Sequence, residues 1–433
     1  MPKTLYPKQR ESVDFLKQAL LANKGALDSS STGVGKTVVA CCVAQELGLP
    51  VAVVCPKIVI PQWERELAEA GVTPLFVTNY EKIKRGNKFL AKVGKKLYRW
   101  QLPANALVVW DEIHRCVGAY TLNTQMLIAS KQAGYYNLML SATACQDPTE
   151  MRGIGFVLGL HSLNKPEAPR KSWFTWMLEH GCRKDHWNTW VAGPISKLRL
   201  LNEKIYGHCA TKLTPADLPS AFSDNRIITE PLAFASLKDI AKFYDENGVT
   251  PEIVDKFLED GAASPHVLVE MLRARQLAEA AKVPDIIDMI KDARAEGYSV
   301  AVFVNFVDTV KTLSGAFMLE CSVIVGGQSA EERERNVQAF QRNENRIVIC
   351  NIAAGGAGVS LHDVEGGHPR LSLVSPTFDV KSYIQTLGRI HRVGAKTPAT
   401  QKILIASGTI EEKILKAMEQ KRIAMETLHQ KEQ

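Results

Sequence analysis

Short, wholly apolar runs recur along this chain, separated by longer stretches with helical periodicity. Residues 51–55 (VAVVC) form such a run, the mark of a strand buried on both faces of a parallel sheet. PLFVTNY (74–80), ALVVWDEIH (106–114) and YYNLMLSAT (135–143) repeat it, each passing from apolar to polar residues at its carboxyl end. Residues 5–21 predict an amphipathic helix with Leu5, Val13, Leu16, Leu20 and Leu21 on one face. Residues 56–71 predict a turn and a helix stopped by Gly71. Strands alternating with helices argue for a doubly wound α/β domain over 1–150, with ligands gathered at the carboxyl ends of its strands. The rhythm breaks over 151–225, where tryptophans, prolines and short helix patterns predict a helical insertion. It resumes over 226–433 with RIITEPLAF, SVAVFVNFV, CSVIVGG, RIVICNI and LSLVSP as strands of a second α/β domain. ASLKDIAKFYDEN and residues 251–281 read as helices between the first two of these strands.

At 433 residues the chain is long enough for about two to three domains. A formal net charge of +7 is compatible with a polyanionic partner without requiring one. Nine cysteines without a CxxC pair read as reduced thiols in a cytosol-like compartment. The polar start MPKTLYPKQRES is unlike a signal peptide, and no apolar run is long enough to span a bilayer. The expectation is a cytoplasmic protein, neither secreted nor membrane-bound. His180, Cys182, His186, His208 and Cys209 match no zinc spacing and read as scattered core and surface residues.

The chemistry centres on residues 25–37, GALDSSSTGVGKT, ahead of an apolar helix pattern. Gly33, Val34 and Gly35 would let the backbone lie close to a polyphosphate. Lys36 would reach its β and γ phosphates, Thr37 would hold Mg²⁺, and Val38 opens the helix whose N-terminus faces the charge. The GxxxxGK[ST] pattern wants glycine where Ser30 stands. NTP hydrolysis also needs an acid for the metal, a residue that orients water, and a cation for the growing charge on the γ-phosphate. Asp111, at a strand end, suits the first task and Glu112 the second. QTLGRIHRVG offers the cation, with Arg389 and Arg392 three apart on one helical face; the plain alternative is a solvated helix face.

Taken in order, these segments resemble the motifs of superfamily-two helicases and translocases, most closely the Swi/Snf-type branch. LYPKQRESVDFL resembles the adenine-reading segment, TGVGKT motif I, VVCPKIVIPQWERE Ia, VTNYEKI Ib, DEIH motif II and SAT motif III. VAVFVNF resembles motif IV, ICNIAAGGAGVSL motif V, QTLGRIHRVG motif VI, and GTIEEKILKAMEQK the closing helix of the branch. The resemblance implies two RecA-like lobes and an ATP- and Mg²⁺-dependent, nucleic-acid-stimulated ATPase. It implies that Gln9 contacts adenine, that Gly358 joins the nucleotide site, and that Gln385 lies near the γ-phosphate with Arg389 and Arg392 as fingers. His114, Ser141 and Thr143 would couple nucleotide state to a nucleic-acid track. Pro56, Lys57, Thr78, Tyr80, Asn305, Gly355 and Gly356 would line that track, mostly through the nucleic-acid backbone. Ser30, Ser31 and Asn351-Ile352 depart from the branch's usual residues, and large remodeller protrusions have little room.

Residues 82–99 carry eight Lys/Arg and no acid, a run that reads equally as a phosphate-contacting arm or as a solvated connection between two strands. Gly86 and Gly94 would let the arm fold back as a hairpin carrying Lys88, Lys92, Lys95 and Lys96. The expected function is an ATP-driven translocase on duplex or branched DNA, largely indifferent to sequence, of the compact kind a phage or other virus would carry. A strand-separating DNA or RNA helicase and a nucleotide-gated binding module without efficient hydrolysis are the alternatives. A metabolic kinase would not need a second lobe bearing two arginines in this register.

Overall fold

The computed structural model describes residues 4–95, 97–185, 188–232, 242, 246, 265–355 and 359–429. It divides into two compact units, Met1–Leu218 with Ile423–Gln433, and Pro219–Arg422. Among the described residues, no helix is long and apolar enough to cross a membrane.

The first unit is built on strands β1 (Gly25–Asp28), β2 (Val51–Cys55), β3 (Phe76–Asn79), β4 (Leu90–Lys92), β5 (Tyr98–Trp100), β6 (Leu107–Asp111), β7 (Tyr136–Leu140), β8 (Arg183–Lys184), β9 (Trp190–Val191) and β10 (Ala210–Thr211). Six of them form one parallel sheet in the order β10-β1-β7-β6-β2-β3. Alternate residues feed two cores, because successive side chains of a strand point to opposite faces. Leu27, Val54, Val108, Trp110 and Met139 pack on one side. Ala26, Val53, Leu107, Val109 and Leu138 pack on the other, against helices Pro7–Asn23 and Lys36–Leu47. The first helix buries Val13, Leu16 and Leu20, but Leu21 is 60% exposed and leaves the predicted stripe, being about 100° round from Leu20. Residues 151–218 belong to this unit. Trp173, Trp176, Leu201 and Ile205 join the same core as Trp110, and β10 extends the sheet beside β1. Gly25 is required there: a Cβ would sit 2.2 Å from the Val157 carbonyl oxygen.

The second unit carries β11 (Asn225–Leu232), β12 (Ser299–Val304), β13 (Cys321–Ile324), β14 (Ile347–Asn351), β15 (Arg370–Val374) and β16 (Ala399–Ala406). They form a second parallel sheet, ordered β11-β16-β15-β12-β14-β13. Ala301, Phe303, Val348 and Val374 face one core; Val300, Val302, Ile349 and Leu373 face the other. Helices Pro265–Ala281 and Val283–Ala295 precede β12. The helix expected at 235–247 lies outside the described residues except for Lys242 and Glu246, and so does the first part of 251–281. Strand β16 is not among the expected strands: only its second half, residues 403–406, is an apolar run, and Thr400, Gln401 and Lys402 precede it. Gln401 is nonetheless buried, donating to Asn225 Oδ1 at 2.9 Å and accepting from Ser372 Oγ at 3.4 Å.

Candidate functional site

Strand β1 ends at Asp28 and the helix Lys36–Leu47 begins at Lys36, so residues 29–35 form the connecting loop. Gly33 (φ 81°) and Gly35 (φ 93°) adopt left-handed backbone that side chains resist. Serine hydroxyls and main chain hold the rest of the loop. Asp28 Oδ1 accepts from Ser30 N (2.9 Å), Ser29 N donates to Thr211 O (2.9 Å), and Ser31 N donates to Leu213 O (2.8 Å). Ser30 Oγ, where the phosphate-loop pattern wants glycine, accepts from Leu213 N at 2.8 Å. Lys36 Nζ donates to Ser30 O (2.8 Å) and Ser31 O (2.9 Å). Val34 is buried, and Thr37 and Val38 sit part-exposed in the first helical turn. Gln9, expected against adenine, is buried with its amide engaged by backbone: Nε2 donates to Val34 O (2.8 Å) and Oε1 accepts from Tyr6 N (3.0 Å). In this structure Gln9 supports the loop.

Asp111 closes β6, two strands from β1 in the sheet. Its Oδ2 accepts from Trp63 Nε1 (2.8 Å) and its Oδ1 from Glu112 N (2.9 Å). Burial, then the neighbouring Glu112 carboxylate, push Asp111 up to about 6, against the pull of Trp63 and Lys36. Burial likewise raises Asp28, with Lys36 opposing it. Glu112 sits in left-handed backbone (φ 54°, ψ 56°), strain of a kind that gathers at functional sites. Its Oε2 lies 3.1 Å from His114 Nδ1 and accepts from Ser141 Oγ at 3.3 Å; the Ser141 hydroxyl is also 3.1 Å from His114 Nδ1. Ser141 N donates to Asp28 O (3.1 Å), and Thr143 N to Ser141 Oγ (3.2 Å). Lys36, Asp111, Glu112, His114 and Ser141 are thus collected around the carboxyl ends of three adjacent strands, β1, β7 and β6.

In the second unit Gln385 is buried on the helix Val380–Leu387. Arg389 and Arg392 do not share a helical face. Gly388 ends that helix, and both arginines lie in the irregular segment beyond it. Arg389 is buried with Nη1 on Val359 O (3.1 Å); Arg392 reaches Gly388 O (3.0 Å) and Ser360 Oγ (2.7 Å). Asn305 is held through its main chain and side chain by the buried Glu279 carboxylate (2.8–3.0 Å), and its Nδ2 also donates to Pro376 O. Gly355 ends the short helix Ile352–Gly355, while Gly356 and Gly358 lie outside the described residues.

Of the remaining track residues, Lys57 is exposed, and Pro56 and Thr78 are buried. Tyr80 corrects an expectation. It is fully buried and its hydroxyl donates to the Asp111 main-chain carbonyl (2.8 Å), so its side chain braces the end of β6 and offers no surface to a nucleic acid. The basic segment forms the hairpin β4–β5, pairing Leu90 with Trp100 and Lys92 with Tyr98. Leu90, Tyr98 and Trp100 enter the core while Lys88, Lys92, Lys95 and Arg99 face solvent; Lys96 lies outside the described residues. His180 and Cys209 bond to backbone carbonyls of their own turns, Trp176 O and Ile205 O. Trp63, Asp28 and Glu279 had no sequence signal, since each acts through a contact that no motif spacing records.

Residues 281–394 match the model of the helicase conserved C-terminal domain. The chain is 30% identical to a protein of Acanthamoeba polyphaga mimivirus provisionally named ATP-dependent RNA helicase L364, over 96% of this chain and 82% of that one. The chain belongs to the superfamily-two helicases. Relatives from their Swi/Snf-type branch include Protein CHROMATIN REMODELING 24 of Arabidopsis thaliana, 21% identical over 95% of this chain and 45% of that one. Another is DNA repair protein RAD5 of Yarrowia lipolytica, 25% identical over 46% of this chain and 18% of that one. Within the superfamily the chain is a Swi/Snf-type member and an ATPase, with two RecA-like parallel-sheet units.

Proposed function

We propose that this helicase-family ATPase couples ATP hydrolysis to movement along duplex or branched DNA without reading its sequence. The observation that carries the reading is the gathering of Lys36, Asp111, Glu112 and Ser141 at the carboxyl ends of β1, β7 and β6, where ligands of parallel α/β sheets bind. The residues fit a nucleotide with Mg²⁺. Gly33 and Gly35 open the backbone of the loop, and Asp111 is a part-buried acid whose raised pKa an added cation would relieve. Thr37 and Asp111 would hold the metal, which when bound neutralises charge on the phosphates. Lys36 exchanges the Ser30 and Ser31 carbonyls for phosphate oxygens. Glu112, oriented by His114 and Ser141, aligns the attacking water, and a change at that trio passes to Thr143 through Ser141. Arg389, Arg392 and Gln385 of the second unit serve the developing γ-phosphate charge, and Gly358 belongs to the same nucleotide machinery. Lys57, Asn305, Gly355 and Gly356, with main-chain groups of Pro56 and Thr78, serve the DNA backbone, joined by Lys88, Lys92, Lys95 and Lys96 of the basic hairpin.

The test is the ATPase rate of the full chain with duplex DNA, single-stranded DNA, RNA or no nucleic acid. Stimulation by duplex DNA, alone or strongest, is the expected result. The name of the mimiviral relative favours a second reading, a helicase acting on RNA; stimulation by RNA alone would establish that one instead. No hydrolysis with any of them would reduce the chain to a nucleotide-gated binding module.

A further inference from the structure

The loop after β1 is anchored from a direction that none of the helicase motifs describes. Ser29 is buried, and its hydroxyl lies 2.5 Å from Tyr206 Oη. Tyr206 Oη is in turn 2.6 Å from Nδ1 of His429, a buried residue at the end of the helix Ile410–His429 whose last residues belong to the first unit. His429 Nε2 lies 2.7 Å from the Cys145 carbonyl oxygen. Leu428 is in the same core as Trp110, and its carbonyl accepts from Asn202 Nδ2 at 2.8 Å, which fixes this turn of the helix.

The chemistry gives this chain a direction. A carbonyl oxygen only accepts, so His429 Nε2 carries the proton, and in the neutral ring Nδ1 is then an acceptor. The Tyr206 hydroxyl donates to it, which leaves the Tyr206 oxygen to accept from the Ser29 hydroxyl. Burial holds Tyr206 well above the ordinary phenol range, so the hydroxyl keeps its proton. The alternative acceptor for Ser29, Thr211 O, is longer at 3.3 Å and already receives the Ser29 amide. Ser29 directly precedes Ser30 and Ser31, whose carbonyls hold Lys36 Nζ.

We propose that Tyr206 and His429 are positioning residues for the phosphate loop: they hold Ser29, and through it the Lys36 cradle, in the conformation that receives ATP. This deepens the proposed function and rests on it. Without the tether, part of the loop population leaves the competent conformation, and apparent affinity falls by that fraction. One hydrogen bond of ordinary strength corresponds to about a five- to tenfold loss.

The experiment measures equilibrium binding of a fluorescent ATP analogue with Mg²⁺ to the full chain, together with kcat and the melting temperature. Tyr206→Phe and Ser29→Ala should each weaken binding about five- to tenfold, with affinity falling more than kcat. The double variant should bind no worse than either single one, because both remove the same bond. His429→Asn, which keeps an acceptor for Tyr206, should bind more tightly than His429→Ala. Unchanged affinity in Tyr206→Phe, additive losses in the double variant, or a lowered melting temperature with no change in affinity would each overturn the proposal. Failure of the wild-type chain to bind the analogue would remove the proposed function itself, and this inference with it.

Discussion

Asp111→Asn should make the first unit more stable while abolishing hydrolysis. The wild-type carboxyl is pushed from its ordinary 3.8 up to about 6, chiefly by burial and then by Glu112. Holding the charge at neutral pH therefore costs about 3 kcal/mol. An amide removes that charge and keeps an oxygen for Trp63 Nε1, but it turns a donor toward the Glu112 amide, which now donates to Oδ1 at 2.9 Å. That lost bond is worth about 1–2 kcal/mol. The remainder, about 1–2 kcal/mol, corresponds to a rise of roughly 3–6 °C in melting temperature for a unit of this size. The sign with pH follows from the raised pKa. The folded protein binds this proton more tightly than the unfolded chain, so the wild type carries the full cost above about 6 and sheds it as pH falls toward 3.8. The variant's advantage, measured by scanning calorimetry without nucleotide, should be largest at about pH 7.5 and shrink as pH falls through about 6. In the same series, Mg²⁺ with ATP should raise the melting temperature of the wild type and not that of the variant. A variant that melts at or below the wild type at every pH would refute the burial argument. One that hydrolyses ATP at the wild-type rate would remove Asp111 from the site.

Lys36→Ala should eliminate hydrolysis with little loss of fold, because Lys36 is part-exposed and its ammonium donates to carbonyls of its own loop; ATPase rate and circular dichroism on one preparation check both halves. Glu112→Gln should leave ATP bound but unhydrolysed, and multiple turnover in a steady-state assay would exclude Glu112 as the water-orienting group. Arg392→Ala should cut kcat by roughly 10³–10⁵ with a smaller change in ATP affinity, and Arg392→Lys should restore little of it because a point charge does not replace a planar fork. Changing Lys88, Lys92 and Lys95 to Gln should weaken DNA binding for every sequence and make the log–log salt slope shallower by about 0.9 for each phosphate no longer neutralised; parallel salt titrations would return the hairpin to plain surface.

Most strands of both sheets were legible because their apolar runs need no partner to be recognised; β10, inside the segment expected to be helical, was not. Residues 51–55, 107–110 and 300–304 are buried on both faces and read as such from composition alone. The first half of β16 was not legible, since burying Gln401 depends on Asn225 and Ser372 from two neighbouring strands; its second half, residues 403–406, is an apolar run missing from the expected strands. Tyr80 shows the same limit at the site. A tyrosine after an apolar run suits a surface contact as well as a core position, and only the Asp111 carbonyl above its hydroxyl decides between them. Arg389 and Arg392 were legible as a pair of cations but not as to setting. Their spacing fits a helix, and Gly388 stops the helix just before them.

The proposed phosphate loop departs from its motif at residue 30, and the structure shows what the serine there does. Glycine is favoured in such loops where the backbone turns left-handed or a Cβ would collide. Here Gly33 and Gly35 meet the first condition, and Gly35 meets the second as well, since a Cβ there would come within 2.6 Å of Gln9 Nε2. Ser30 is not among the residues with positive φ, so a side chain costs the backbone nothing at that position. Its hydroxyl instead accepts from Leu213 N, a buried amide that glycine would leave without this partner. Together with Ser29 N on Thr211 O and Ser31 N on Leu213 O, it laces the loop to the strand-like segment that continues β10. Residues 206–213 thus hold each of the three serines of this loop by a hydrogen bond. A departure from the motif at residue 30 and a segment nearly two hundred residues later are two halves of one structural solution.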